Sequence, residues 1–284
     1  MRKLTALEKY RKTVEGFCLM DDDFMTAVFQ DSPECTEYVL EIILKKKLKV
    51  TESRAQYTIK NLHGRSVRLD VKAVDADGNL YNIEVQRQDK GAQPKRARYN
   101  AALLDANCSN AGEYAENLPE TFVIFISEKD FFLQDEPLYW FDRSCRTGKG
   151  AELSFGDNLH IIYVNGSWQG EDDLGDLMKD FKCTRSAQMK DSVLKTRVSW
   201  FKDNEKGAST MCQAVEKICC EAREEGRTEG KAEERRETAA KMLVDGINIE
   251  LISKYSRLSV EEIEQLRQEM LVNALNRRKK KKRP

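Results

Sequence analysis

Ser66-Val-Arg-Leu-Asp70-Val-Lys-Ala-Val-Asp75-Ala-Asp-Gly78-Asn-Leu-Tyr-Asn-Ile-Glu84-Val-Gln86 is the stretch on which the reading of this chain turns. Every second residue is apolar in Val67, Leu69, Val71 and Ala73, and again in Tyr81, Ile83 and Val85, the period of strands with one buried face. Between the two runs, Ala76-Asp77-Gly78 suits a three-residue hairpin loop whose glycine supplies the positive φ of a bulge. If Asp75 faces Asn79, then Asp70 faces Glu84, and the polar face of the hairpin carries Asp70, Lys72, Glu84 and Gln86.

Directly opposed residues of an antiparallel pair hold their Cβ atoms about 4.5–5.5 Å apart, so two ionised carboxylates there repel unless a positive charge lies between them. A divalent cation is the obvious candidate. Oxygen ligands without histidine or thiolate favour Mg²⁺, with Mn²⁺ as the alternative, and such an ion activates water and clamps a phosphate. Against this stands the plain reading that solvent-facing strands carry Asp, Glu and Lys simply because they are wet. The tight turn, the D-x₁₃-E-x-Q spacing and the arginine-rich segment that follows favour the chemical reading.

Outward from the hairpin, Ala55, Tyr57 and Ile59 predict a further strand upstream, and residues 1–48 read as helices, with Phe24, Ala27, Val28 and then Val39, Ile42, Ile43 at helical spacing and Asp21, Asp22 and Asp23 as caps. Downstream, Pro94 to about Cys108 reads as a helix with Ala97, Ala101, Leu104 and Cys108 inward, followed by an apolar strand at 121–126. The order is α–β–β–β–α–β. A strand at 159–164, helices near 171–181 and 187–202, and a long charged helix from about 208 complete the chain. Met211, Val215, Ile218 and Ala222 give that helix a narrow apolar stripe, and Gly226 and Gly230 weaken it. Asp245-Gly246 closes a helix, Asn248 caps the next, and Ser259-Val-Glu-Glu262 fits a capping box. The expected domains are 1–205, an α/β body; 206–276, a helical connector with a helix-turn-helix-like end-piece; and 277–284, a basic tail.

The 284 residues carry 48 basic and 48 acidic side chains. Seven of the basic ones lie in Arg277–Arg283, which leaves 41 against 48 in the residues before them. The body is therefore not basic, and nucleic-acid contact is expected to be local or made by the tail. Eight cysteines without a C-x-x-C pair, and two histidines, His63 and His160, argue against a zinc site or a hydrolase triad. No run approaches the ~18–20 apolar residues of a membrane span, and the first ten residues lack the apolar stretch of a signal peptide, so a soluble cytoplasmic protein is expected.

At Asp70 and Glu84-Val-Gln86, in that element order, the sequence resembles the PD-(D/E)XK nuclease superfamily, in the branch of PD-(D/E)XK nuclease family transposases and recombination-promoting (Rpn) nucleases. Asp23-Phe24 to Phe29, Lys95-Arg-Ala-Arg-Tyr99, Gly112-Glu-Tyr114 with Leu118-Pro119, and Asp180-Phe-Lys-Cys183 are similar to it too, so the resemblance covers roughly residues 15–270. It implies a restriction-endonuclease-like core with a mixed sheet and a helical C-terminal extension, Asp70 and Glu84 as metal ligands, and Asp70, Glu84 and Gln86 as the catalytic set. Gln86 stands where the superfamily name expects lysine, and Leu69 where it expects proline. Lys72, Arg96, Arg98 and Tyr99 are the candidate DNA contacts, with the alternative that an arginine here pairs with a neighbouring acid. The expected function is a divalent-metal-dependent DNA endonuclease linked to recombination or mobile elements. The alternatives are a catalytically inactive DNA-binding protein of the same fold and a protein that self-associates through its C-terminal helices.

Overall fold

In the computed structural model, residues 14–61, 66–87, 89–109 and 114–269 are described. His63, Gly112 and the tail 277–284 lie outside them. Helices α1 (Asp22–Phe29) and α2 (Pro33–Leu44) precede strands β1 (Val50–Ile59), β2 (Val67–Asp75) and β3 (Leu80–Gln86). Helix α3 (Pro94–Cys108) and strand β4 (Thr121–Ser127) follow, which is the expected α–β–β–β–α–β order. Then come β5 (Leu138–Phe141), a small hairpin of β6 (Ser144–Arg146) and β7 (Glu152–Ser154), β8 (Leu159–Asn165), α4 (Asp173–Lys182) and α5 (Ser192–Asp203). The short strands β5, β6 and β7 were not foreseen, because pieces of three or four residues are too brief to show a period.

Six strands form one sheet in the order β1-β2-β3-β4-β8-β5. The β1–β2–β3 meander is antiparallel, β3, β4 and β8 run parallel, and β5 returns antiparallel on β8. The parallel centre explains why Thr121–Ser127 reads as an unbroken apolar run: it is buried along its whole length, with layers on both faces. On one face, Phe24, Val28, Val39 and Ile43 of α1 and α2 join Leu177 and Phe181 of α4 and Leu194 and Phe201 of α5 in a core with Val71, Tyr81, Ile83 and Ile124. On the other, Ala97, Ala101 and Leu104 of α3 pack with Val67, Leu69, Val123, Phe125 and Tyr163.

The loop of the β2–β3 hairpin is as expected, with Gly78 at φ +86° and the Asp75 and Asn79 backbones bonded across it. Its pairs run from Val74 with Leu80 to Val71 with Ile83, the register expected, and the ladder ends there, one step short of Asp70 and Glu84. The single apolar face expected for β1 and β2 is corrected. Val71 and Ala73 enter the first core, whereas Val67, Leu69 and Ile59 enter the second, packed with Tyr57. The β1–β2 register is unbroken through this point, Ala55 with Val71 and Tyr57 with Leu69. What changes is the backbone of Gln56, which adopts φ 50° directly across from Asp70. At this point the pair passes from one layer to the other, its inner half serving the first core and its outer half the second. The strain, on the order of 1–2 kcal/mol for a residue with a Cβ, is offset by the Gln56 amide, which donates to Asp22 (2.8 Å) and Thr26 (3.0 Å) of α1.

β1 is an edge strand, and two of its N–H groups are occupied by side chains: Val50 donates to Glu37 (2.9 Å) and Ala55 to Gln30 (2.9 Å). Of the expected caps before α1, Asp21 takes the N-cap position without bonding the helix; its carboxylate accepts from the Cys18 N–H and pairs with Arg87. Cys18 and Cys35 are buried free thiols, Cys145 is exposed, and His160 bridges Asp142 (2.6 Å) and Glu120 (3.0 Å) while stacking on Phe122.

The chain divides into two compact units, Met1–Val215 and Glu216–Pro284. Helix α6 (Glu205–Val244) begins in the first, where Met211 is fully buried. In the second, Ala239, Ile252, Ile263 and Leu266 form a small core. There Asn248 caps α7 (Ile249–Ser256) by accepting from the Glu250 N–H, Gly246 takes φ +72°, and the capping box closes with Ser259 N–H on Glu262 (2.7 Å) and Glu262 N–H on Ser259 (3.2 Å). Among the described residues no helix is long and apolar enough to cross a membrane.

Candidate active site

Asp70 sits where the sheet opens. The backbone ladder between β2 and β3 runs to Val71 and Ile83, and from there side chains take over: the Val85 N–H donates to Asp70 Oδ2 (2.9 Å), and the Asp70 N–H reaches Glu84 Oε1 (3.4 Å). The two acids therefore converge in the gap between splayed strands. They do not stand on a wet face, since Asp70 is 8% exposed and Glu84 is fully buried. The solvated face that their spacing also allowed is covered by α3, whose position follows from its own stripe of Ala97, Ala101 and Leu104.

Glu84 has every oxygen engaged. Oε1 accepts from Asn82 (2.9 Å) on the same strand and Asn100 (3.3 Å) on α3, and Oε2 forms an ion pair with Arg96 at 2.5 Å. Arg96 also donates to the Gly91 carbonyl (3.0 Å) and lies over the Phe125 ring. Asp70 is poorer in donors: among the described residues, beyond the Val85 N–H, only the Gln86 amide approaches Oδ2 (3.4 Å). Burial pushes the Asp70 carboxyl well above its ordinary range and the adjacent Glu84 charge pushes it further, against the pull of the Val85 N–H. Burial also raises Glu84, with Arg96 as the strongest opposing influence. Both acids thus hold their protons more tightly than free carboxyls do.

A cleft of about 400 Å³ opens here, with Asp70, Gln86 and Gly91 on one side and Met20, Asp21 and Asp22 on the other. A larger groove of about 880 Å³, between α2, β5 and the start of α4, contains none of these groups. The smaller cleft is the one lined by Asp70 and Gln86, at the carboxyl end of β3, where parallel sheets commonly bind ligands. Gln86 is held close to the turn that follows β3: a Cβ on Gly91 would lie 1.7 Å from its Oε1.

Among the described residues no cluster of three or more His, Cys, Asp or Glu is arranged to hold a metal. The donor set nevertheless fits a hard divalent ion. Mg²⁺ typically takes one or two protein carboxylates and keeps several waters, and two buried acids with raised proton affinity, Asp70 and Glu84, supply that share. Asp22, which lines the cleft with Asp21, raises both acids through space.

The structure brings together Asp70, Glu84, Gln86 and Arg96. The other candidate DNA contacts lie apart from them. Lys72 rests with its ammonium 4.7 Å from the Tyr57 ring, Arg98 is exposed on a different face of α3 from Arg96, and Tyr99 accepts from Asn61 (3.1 Å). Sequence reasoning missed Asp22, Asn82, Asn100 and Gly91. Asn100 was within reach, being one helical turn beyond Arg96; Asp22 was masked by two neighbouring aspartates equally suited to capping.

Residues 34–167 match the model of a family described as PD-(D/E)XK nuclease family transposase. No curated protein and no solved structure matches the chain. The mixed α/β architecture, with its six-stranded mixed sheet, is consistent with the PD-(D/E)XK nuclease fold.

Proposed function

We propose that this chain, whose residues 34–167 match a nuclease family, is a divalent-metal-dependent DNA endonuclease acting in recombination or DNA mobility in the cytoplasm. The observation that carries the reading is the meeting of Asp70 and Glu84 in the opened β2–β3 gap, beside a cleft. Asp70 and Glu84 would hold Mg²⁺ or Mn²⁺. When bound, such an ion lowers the pKa of water and stabilises the charge that develops on a phosphodiester. The Gln86 amide, tethered to Asp70 and wedged against Gly91, orients the attacking water; it offers a donor and an acceptor but neither a positive charge nor a base. Arg98, exposed on α3, and Lys72 are proposed to draw the DNA backbone by charge, which gives affinity without sequence preference.

The test is a plasmid-nicking assay. Cutting is expected with Mg²⁺, none with EDTA, and a loss of at least about 100-fold in Asp70→Ala and Glu84→Ala. Equal cutting by the Glu84 variant would place the chemistry elsewhere. The Arg96 tie on Glu84 and the glutamine at position 86 favour one other reading, a catalytically inactive DNA-binding protein of the same fold. Salt-sensitive DNA binding without nicking in Mg²⁺ or Mn²⁺ would select it.

A further inference from the structure

Arg96 is bound to Glu84 in a way that separates the two oxygens of the carboxylate by kind. Oε1 is fixed by neutral amides from Asn82 and Asn100 and by a backbone N–H, all from buried residues. Among the described residues Oε2 has a single partner, the Arg96 guanidinium, whose side chain is 35% exposed at the rim of the site while Glu84 is fully buried. Arg96 has holds of its own that do not involve Glu84, the Gly91 carbonyl at 3.0 Å and the face of Phe125 at 5.9 Å. One oxygen is anchored, and the other is covered by a cation with somewhere else to rest.

We propose that Arg96 is the exchangeable cation of this site: it neutralises Glu84 when no metal is bound and yields Oε2 to the divalent ion, so that metal binding and release of the guanidinium are one coupled event. Arg96 is then a positioning residue that sets the affinity of the site, and its role as a DNA contact is secondary to this. Two features of the surroundings support the exchange. A buried carboxylate left without a partner is costly, so in a protein that spends time without metal something must cover it. Gln86 stands two residues on and carries no charge, so no cation comes from β3 itself. Coupling of this kind is reciprocal, so whatever weakens the Arg96 tie strengthens metal binding.

This inference rests on the reading of Asp70 and Glu84 as metal ligands, and its test separates the two. Mn²⁺ binding to the full chain is measured by calorimetry, and thermal melting is followed with and without Mn²⁺, for the wild type, Arg96→Met and Arg96→Lys. Arg96→Met is expected to melt lower without metal, to bind Mn²⁺ about 10-fold more tightly and to gain more from it on melting. Arg96→Lys, which keeps the charge and loses the fork, is expected between the two, and it decides the matter if the methionine variant does not fold. Unchanged or weaker Mn²⁺ binding in both variants, with lower metal-free melting, would overturn the exchange and leave Arg96 as a structural tie. Unchanged Mn²⁺ binding with unchanged metal-free melting in both variants would overturn it as well. Absence of Mn²⁺ binding in all three chains would remove the metal site itself, and the exchange with it.

Discussion

Strand β2 holds two buried aspartates that differ in the number of donors reaching them. Asp75 accepts from the Asp77 N–H (3.0 Å), the Asn79 N–H (2.9 Å) and side chain (3.0 Å), and the Tyr81 hydroxyl (2.7 Å). Burial pushes its carboxyl up, but these four bonds together outweigh that, and it sits below the ordinary range. Asp70, with two donors and an acidic neighbour, sits far above. The first is an acid the fold uses, the second an acid the fold tolerates, as expected of a group kept for chemistry. Because the Asp75 carboxyl is lowered on folding, its contribution to stability is fully present above the unfolded aspartate's range, near about 3.9, and is lost as pH falls through the lower folded value. Tyr81→Phe removes one donor and keeps the ring. It should cost about 1–2 kcal/mol at pH 7 and, by moving the folded pKa back towards the unfolded one, flatten the acid side of the stability profile. Urea melts at pH 7 and pH 3 check both; equal losses at the two pH values would detach Tyr81 from the Asp75 charge.

At the scale of elements, what the sequence made legible and what it concealed have distinct physical causes. Alternation found β2 and β3, and the hairpin loop at Gly78 set their register, because a one-residue slip would send every side chain to the wrong face. The observed register stops at Val71 and Ile83, and beyond it the Asp70 N–H reaches Glu84 Oε1 at 3.4 Å. Alternation alone left the roll of β1–β2 unread: it coincides with the left-handed backbone of Gln56, and glutamine carries no mark of that conformation as glycine does. For Arg96 the sequence left both an outward reach to DNA and a pairing with an acid open, and the buried acid at 84 draws it in; a side chain's direction is settled by partners that lie far along the chain. The short 3₁₀ turn Asp89–Ala92 after β3 brings Gly91 against Gln86. Gly91→Ala must displace the Gln86 amide, the end of a flexible side chain, so the fold should lose less than about 1 kcal/mol while nicking falls at least about 10-fold. Melting and nicking measured on the same preparation would show it, and an active Gly91→Ala chain would argue that the placement of Gln86 is unimportant.

Across the whole molecule, Met211 and Ala208 of α6 are buried, and Met211 belongs to the core of the first unit, although α6 runs on to Val244. A boundary at 205/206 therefore remains a proposal to be tested with truncated chains. A chain ending at 215 should keep the melting temperature of its core, whereas one ending at 207 leaves the pocket of Met211 empty and should lose about 2–5 kcal/mol. Thermal melting of the two discriminates, and sedimentation of the same pair against the full chain tests self-association through the C-terminal helices, which should vanish in both. Where such assembly does not arise is suggested by the outer margin of β1. Glu37 and Gln30 occupy the Val50 and Ala55 amides, so an incoming strand from another copy finds these donors already taken. Fibril growth seeded along that rim would first have to pull both side chains off, and Gln30→Ala is the kind of change after which concentrated stocks would be expected to turn cloudy.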